Sequence, residues 1–173
     1  TKRKKGHPPG SIFWGSSGPL RNGKGSCYEG GYRLPCIVRW PGKVPAGRES
    51  EAVFATIDFL PTFAKLCGFK APADRVIDGV DQTDLLLGKS EKGRETFYFD
   101  RAGIRKGKWK YLKAKAHFYG YAREDDRPLE EELYDLEKDL GETTNLAKNH
   151  PQIVAELRKL TEELPAYRPD ERR

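Results

Sequence analysis

The sequence of 173 residues contains no methionine, only three cysteines and no long apolar run. Cys27, Cys36 and Cys67 show no Cys-x-x-Cys spacing, which argues against a zinc site, and their odd number leaves at least one thiol free or paired outside the chain. Because no stretch of about 18 apolar residues occurs, we predict no membrane span. The basic start, Thr1–Lys5, has no apolar stretch behind it, so we do not predict a signal peptide from these residues.

The chain carries an excess of positive charge, with a net charge of +6. Charged residues make up 34% of the sequence and hydrophobic residues 36%, so we expect a folded chain with a modest core. A basic balance suits an anionic partner. Charge alone does not separate nucleic acid, a sulfated sugar and plain solubility, and these alternatives stay open at this point.

The first part of the chain predicts a loop, a strand and a helix. Residues 1–26 are rich in glycine, proline, serine and lysine and predict a long surface loop. Cys36–Trp40 is β-prone and predicts a strand. Thr56–Cys67 predicts a helix with Pro61 in its first turn and Gly68 behind its end. Apolar residues on one face of that helix recur every three or four positions: Ile57, Leu60, Phe63, Ala64 and Cys67.

The second part predicts strands followed by a helix. Thr96–Phe99 is an aromatic β-prone run, and Ile104–Tyr111 predicts a hairpin with one apolar and one basic face. Leu133–Leu136 predicts a further strand. A helix is predicted to begin at Pro151, with His150 as its cap. The apolar stripe of that helix comprises Ile153, Val154, Leu157, Leu160 and Leu164.

This order of elements predicts an α/β fold in two parts. The expected boundary falls near residues 89–95, where Lys89–Gly93 is a polar linker. It follows a short helical turn at Asp84–Gly88. Residues 1–94 are interpreted as the incomplete C-terminal portion of an α/β domain, and residues 95–173 as a small antiparallel β-sheet subdomain with a C-terminal helix.

Several blocks of residues, in order, resemble the sulfatase family of the alkaline-phosphatase superfamily. They are Gly18–Ser26, Tyr28–Pro35, Arg39–Lys43, Thr56–Thr62, Ile77–Asp81, and Leu133–Asp139 with Gly141, Glu142, Asn145 and Leu146. The resemblance covers nearly the whole chain from Gly18 onwards, with Leu140 where many members have proline. Lys110–Phe118 resembles the arylsulfatase A and N-acetylgalactosamine-6-sulfatase branch in particular. The resemblance implies the C-terminal portion of an alkaline-phosphatase-like α/β domain.

The resemblance also implies a chemistry and two site residues. In the family, a cysteine or serine oxidised to formylglycine attacks sulfur as its hydrate, while calcium and basic side chains neutralise the sulfate oxygens. Lys24 matches a family lysine and is predicted to be catalytic and substrate-binding. Its glycine neighbours let the backbone approach an anion closely. His117 is predicted to bind the sugar or aryl part of the substrate, although a packed histidine is equally compatible with its aromatic neighbours.

Most of the family's catalytic residues have no match in this chain. The formylglycine motif and the calcium ligands are expected outside it, so we predict no metal ligands here. Ser17–Arg21 fits the pattern of the nucleophile motif literally, but Leu20 is bulky and the segment belongs to the block that carries Lys24. Asp58, Asp78 and Asp81 are predicted to form caps and turns. Glu29 and Arg33, four residues apart, are predicted to pair as scaffolding for the loop.

Three functions follow from these observations. The first is a fragment of a sulfatase that hydrolyses aryl or sugar sulfates, inactive alone, whose partners are a sulfated small molecule or glycan and the missing N-terminal part of the domain. The resemblance then implies a secreted, periplasmic or lysosomal-type location. The second is a non-catalytic module that binds polyanions through the lysine-rich hairpin and the N-terminus. The third, nucleic-acid binding, is disfavoured because the aromatic residues are required for burial.

Overall fold

A computed structural model describes residues 16–100, 102–116 and 128–164 of the chain. The helices are α1 (Glu29–Tyr32), α2 (Phe59–Leu66) after a 3-10 turn (Thr56–Asp58), α3 (Thr83–Leu86) and α4 (Pro151–Glu162). The strands are β1 (Thr96–Tyr98), β2 (Gly103–Lys106), β3 (Trp109–Leu112) and β4 (Glu132–Asp135). Among these described residues, none of the helices combines the length and apolar character needed to cross a membrane.

The chain divides into two compact units. The described residues of Thr1–Leu34 and Tyr98–Arg173 form the first, here called the loop–sheet unit. Pro35–Phe97 form the second, here called the helical unit. The predicted division into residues 1–94 and 95–173 concerns the domains of the family and stays a prediction.

The strands form a four-stranded sheet in the order β1-β2-β3-β4. Strands β2 and β3 make the predicted hairpin, with Ile104 opposite Tyr111, and its turn uses Gly107 at a φ of 56°. Strand β4 pairs antiparallel with β3, which places Leu133 opposite Tyr111. This antiparallel sheet with its helices confirms the predicted α/β fold class.

The core of the loop–sheet unit lies between the sheet and α4. Its fully or almost fully buried members are Ile104, Tyr111, Leu133, Val154 and Leu157. Pro151 opens the helix, as predicted, because the first helical amide has no partner within the helix. Burying each large apolar side chain of this kind contributes about 1.5–3 kcal/mol. The stripe of α4 is therefore the main attachment of the helix to the sheet.

The prediction that His150 caps α4 is correct for its position and wrong for its side chain. His150 occupies the N-cap, but its side chain makes no capping hydrogen bond. Its ring instead lies 5.2 Å, centre to centre, from the ring of Trp109. The contact with the indole ring thus takes the place of the predicted cap.

In the helical unit, Asp58 fixes the start of α2. Its carboxylate accepts hydrogen bonds from the amides of Ala55 at 2.9 Å and Val80 at 2.8 Å, and it pairs with Arg94. Burial alone would raise the pKa of Asp58, but the hydrogen bonds from Arg94 and the two amides outweigh burial and hold that pKa below 3.8. Asp58 thus occupies the predicted N-cap position of α2, but its carboxylate makes no capping hydrogen bond to that helix. It shapes the neighbouring turns instead, through the amides of Ala55 and Val80.

The apolar face of α2 exists as predicted, but it is exposed. Leu60 is 54% exposed and Phe63 50% exposed. A shallow groove of about 450 Å³ follows this face and is lined by Phe59, Leu60, Phe63, Ala64, Cys67 and Phe69. We call these six residues the α2 face.

The strand predicted at Cys36–Trp40 is wrong. The segment has no regular secondary structure, and Ile37 within it is 94% exposed. A β-prone run becomes a strand only when a neighbouring strand supplies hydrogen bonds to its backbone. Among the described residues, no strand lies in register beside this segment.

Candidate functional site

Two glycines of α1 allow the loop that carries Lys24 to lie directly against the helix. We call residues 17–28 the Lys24 loop. A Cβ on Gly30 would sit 2.2 Å from the carbonyl oxygen of Asn22, and one on Gly31 would sit 2.2 Å from that of Ser26. The Gly30 amide also donates to the carbonyl of Arg21 at 3.0 Å. Any other residue at either glycine would push the loop away.

Lys24 itself lies in a tight turn. The amide of Ser26 donates to the carbonyl of Gly23 at 3.1 Å, and Gly25 adopts a φ of 91°, which favours glycine. The Lys24 side chain is exposed. Within the described part of the chain, its ammonium makes no hydrogen bond or ion pair. The turn thus presents a positive charge that no carboxylate of the described residues neutralises.

A buried ion cluster lies beneath this loop, and Lys110 of β3 is its centre. The Lys110 ammonium lies 2.9 Å from a carboxylate oxygen of Glu29 and 2.9 Å from one of Glu142. The side chains of Lys110 and Glu142 are both 0% exposed. Arg33 pairs with Glu29 at 3.2 Å, as predicted from their spacing, and Arg105 approaches it at 3.8 Å. Charges this deeply buried persist only when they are paired.

Glu142 binds the loop with both its side chain and its backbone. Its carboxylate accepts a hydrogen bond from the Glu29 amide at 2.6 Å, and its carbonyl accepts one from Arg21 at 2.8 Å. The residue is held at a φ of 52°, a conformation that is uncommon for residues other than glycine. Burial raises the pKa of the Glu142 carboxyl, and the nearby Lys110 ammonium opposes that rise.

An aromatic layer secures the start of the loop. The Arg21 guanidinium carbon lies 3.7 Å from the centre of the Tyr28 ring, and the same group donates to the Tyr134 hydroxyl at 2.8 Å. The Tyr28 hydroxyl donates to Glu132 at 2.9 Å. Burial raises the pKa of Tyr28, so its hydroxyl stays protonated and remains a donor. Both Arg21 and Tyr28 are therefore fixed against the sheet.

The described part of the chain offers no nucleophile of the expected kind. The Ser17 hydroxyl lies 2.6 Å from the carbonyl of Asn22, within its own turn, and Arg21 is occupied in the aromatic layer. These contacts support the exclusion of Ser17–Arg21 as a nucleophile motif. Burial raises the pKa of the Cys27 thiol to about 12, which keeps it unreactive at neutral pH. Cys36 and Cys67 are exposed and unpaired.

The described residues also do not fit the calcium that the sulfatase resemblance implies. Nowhere in residues 16–100, 102–116 and 128–164 do three or more histidine, cysteine, aspartate or glutamate side chains gather to hold a metal ion. Asp81 instead accepts from the amide of Thr83 at 2.9 Å, as expected of a turn former. No role of calcium is therefore assigned to residues of this chain.

The hairpin does not present the basic face that the sequence predicted. Lys106 pairs with Glu156 at 2.6 Å, Lys108 pairs with Asp135 at 2.9 Å, and Lys110 is buried in the ion cluster. The alternation of lysine with aromatic residues suggested solvated lysines. The carboxylates that pair with them lie far away in the sequence, so no local pattern could reveal the pairs.

The two predicted site residues have different outcomes. Lys24 lies on the exposed turn described above, and its catalytic role stays a prediction. His117 lies outside the described residues and also stays a prediction. Lys110 and Glu142 both lie in blocks that resemble the family, but the sequence assigned them no role, because a lysine in a strand and a glutamate in a turn carry no signal of burial.

Comparison with known proteins gives one family for this chain. The family model described as "N-sulphoglucosamine sulphohydrolase, C-terminal" matches residues 23–169. An N-acetylgalactosamine-6-O-sulfatase of Bacteroides thetaiotaomicron is 37% identical over 168 residues, which cover 93% of this chain and 31% of the relative. Human arylsulfatase A is 35% identical over 84% of this chain and 33% of the relative. The chain thus spans about a third of the length of these curated relatives.

Solved structures give the same result. A structure described in connection with the metabolism of multiple glycosaminoglycans by Bacteroides thetaiotaomicron is 36% identical, with a TM-score of 0.74 over 85% of this chain and 32% of that one. Another is in complex with its substrate, D-glucosamine-2-N,6-O-disulfate. It is 28% identical, with a TM-score of 0.52 over 73% of this chain and 27% of that one.

Proposed function

The chain belongs to the sulfatase family, and on this premise we propose that it forms the C-terminal third or so of an enzyme that hydrolyses sulfate esters. In this proposal Lys24 supplies a positive charge to the sulfate group. The observation that supports it is the exposed Lys24 side chain, whose ammonium has no partner among the residues that the structure describes, on a turn that is otherwise held by buried contacts. A preorganised cation stabilises negative charge more effectively than a mobile surface lysine does.

The nucleophile and the metal are proposed to lie in the part of the longer enzyme outside this chain. The formylglycine would attack sulfur, and calcium, when bound, would supply additional positive charge at the sulfate oxygens. The role left for this chain is to bind the sulfate through Lys24 and hold it in one orientation. By itself the chain is therefore expected to be inactive.

The proposed substrate is a sulfated sugar or an aryl sulfate. The relatives support both classes, since one is named as an N-acetylgalactosamine-6-O-sulfatase and another as arylsulfatase A. One solved neighbour was determined with the sulfated sugar D-glucosamine-2-N,6-O-disulfate. We propose that His117 contacts the sugar or aryl group of the substrate, as the family resemblance implies.

The rest of the sulfatase domain is proposed to cover the α2 face. The six residues that line this groove are mostly aromatic or aliphatic. Covering them is favourable, because each Å² of apolar surface removed from water stabilises the protein by about 25 cal/mol. The length of the curated relatives leaves about two thirds of such a domain to provide that cover. We accordingly propose two domains. Residues 1–94 form the C-terminal portion of the α/β domain, and residues 95–173 form the small antiparallel sheet with the C-terminal helix. The proposed setting is secreted, periplasmic or lysosomal-type.

The alternative of a non-catalytic polyanion-binding module has less support. Its proposed surface combines the lysine-rich hairpin with the N-terminus, of which residues 1–15 lie outside the described part of the chain. In the hairpin, Lys106, Lys108 and Lys110 each lie beside a carboxylate. A polyanion would have to displace those carboxylates before it could bind, which costs part of the electrostatic gain.

The proposed function is tested by replacing Lys24 in the complete enzyme. We expect Lys24→Ala to lower kcat/KM for a sulfated amino sugar and for 4-nitrophenyl sulfate by about a hundredfold or more, the scale found when one charge-stabilising group is removed. The control is Lys89→Ala, since Lys89 is also exposed but lies on the helical unit. A change of less than about twofold for Lys24→Ala would exclude the proposed role. His117→Ala in the same assay should alter KM for one substrate class more than for the other.

A further inference from the structure

Lys110 lies on the face of the sheet opposite the main core. Neighbouring residues of a strand point to opposite faces, and Tyr111 belongs to the core with α4. The Lys110 side chain therefore points toward the Lys24 loop, where it is 0% exposed and lies 4.3 Å from the centre of the Phe99 ring. A lysine in this position does not touch a substrate in solution. Any effect that it has on the site must pass through neighbouring residues.

The two carboxylates that Lys110 binds are connected to the Lys24 loop on either side of Lys24. Glu29 follows the loop directly as the first residue of α1. Glu142 lies outside the loop and holds it at Arg21, whose guanidinium donates to the Glu142 carbonyl. The Glu29 amide donates to the Glu142 carboxylate at 2.6 Å, which closes the ring of contacts. One ammonium thus links the two points at which the segment carrying Lys24 is held.

From this geometry we propose that Lys110 is a positioning residue that holds the Lys24 ammonium where it meets the sulfate group. The inference rests on the proposed role of Lys24. Without Lys110, the buried carboxylates of Glu29 and Glu142 would lack the cation between them, and among the described residues Arg33 and Arg105 pair with Glu29 alone of the two. Repulsion between the two carboxylates would move Glu29 away from Glu142, which holds Arg21, and would displace the turn between Arg21 and Glu29.

A double-mutant cycle in the complete enzyme tests this inference. Lys110→Met keeps the length of the side chain and removes the charge. We expect it to lower kcat/KM by about tenfold to a hundredfold when Lys24 is present, since a displacement of about 1 Å costs that much. In the Lys24→Ala background the same change should lower kcat/KM by less than about twofold. The inhibition constant of inorganic sulfate should rise with Lys110→Met only when Lys24 is present.

Two further variants separate positioning from general damage. Lys108→Met is the matched control, because Lys108 lies in the same hairpin and its partner is Asp135 rather than the loop. Lys110→Met with Glu142→Gln is the rescue. Glutamine keeps an acceptor for the Glu29 amide and removes the uncompensated charge, so we expect the double variant to recover most of the lost kcat/KM. This variant also keeps the test valid if Lys110→Met alone does not fold.

Hydrogen exchange provides a readout that does not depend on activity. With Lys110→Met, the amides of residues 21–31 should lose protection while those of β2, β3 and α4 keep it. Equal losses of kcat/KM in both backgrounds, or unchanged protection of the loop, would overturn the inference. If Lys24→Ala alone leaves the rate unchanged, the proposed function fails separately, and the exchange of the loop amides still decides whether Lys110 holds the loop.

Discussion

The loop–sheet unit and the helical unit differ in where they place their apolar side chains. In the loop–sheet unit, aromatic and aliphatic residues of three strands and α4 are almost fully buried. In the helical unit, Ala55 and Leu85 are the buried apolar residues among those described, while Phe63, Phe69 and Val76 are at least half exposed. The first unit thus completes its own core, whereas the second presents an apolar surface that calls for a covering partner.

Charged residues show a parallel contrast. The loop–sheet unit uses buried charges to attach a loop, with Lys110 between Glu29 and Glu142. The helical unit uses one buried pair, Asp58 with Arg94, to join its turns. The buried charges of the loop–sheet unit thus hold the Lys24 loop, whereas the buried pair of the helical unit joins Asp58 to Arg94 beside the turn at Val80.

The largest expected loss of stability comes from breaking the buried ion pair of the helical unit. Arg94→Met leaves the Asp58 carboxylate buried without its cation, which costs about 3–5 kcal/mol. The free energy of unfolding would be measured by urea titration, and hydrogen exchange would locate the change. We expect residues 35–97 to lose protection first. Loss of protection in β2 and β3 before residues 35–97 would contradict the contrast between the units.

A second prediction compares one apolar side chain from each unit. In this chain alone, Leu157→Ala should destabilise by about 2–5 kcal/mol, whereas Phe63→Ala should cost less than about 1 kcal/mol, because Leu157 is buried and Phe63 is half exposed. In the complete enzyme, the cost of Phe63→Ala should rise to about 3 kcal/mol if the domain covers the α2 face. An unchanged cost there would show that nothing covers it.

A smaller effect follows from the titration of Asp58. Because the pKa of Asp58 in the folded chain lies below 3.8, its contribution to stability is present above that value and is lost as pH falls through the folded pKa. The difference in unfolding free energy between the wild type and Asp58→Asn should therefore be constant from pH 7 to 5 and should shrink below about pH 4. A difference that grows on acidification would mean that the carboxyl is protonated in the fold at neutral pH.

Local sequence patterns correctly predicted the elements whose periodicity is contained within their own segment of the chain. The stripe that begins at Pro151 and the hairpin of Ile104–Tyr111 follow helical and alternating periodicities, and both were found. Cys36–Trp40 failed as a strand, because strand formation depends on a neighbour that composition does not reveal. The apolar face of α2 was predicted correctly, but periodicity does not tell which partner covers it.

The candidate site likewise combines residues that a sequence motif indicates with residues that only the tertiary fold brings together. A motif drew attention to Lys24 and the glycines around it; the catalytic role of Lys24 stays a prediction, while Gly30 and Gly31 have a physical reason in the close approach of the loop backbone. The ion pair of Lys110 with Glu142 was not predicted, because it joins residues distant in sequence. Charge patterns in a sequence report neighbours along the chain, while a buried ion cluster is created by the tertiary fold.

The most direct test of the central claim is a structure of the complete enzyme with a sulfated substrate bound and the nucleophile replaced to prevent turnover. The account predicts the Lys24 Nζ within about 3.2 Å of a sulfate oxygen, with Lys110 still between Glu29 and Glu142. A substrate whose sulfate lies away from the Lys24 loop, with the Lys24 side chain in solvent, would contradict it.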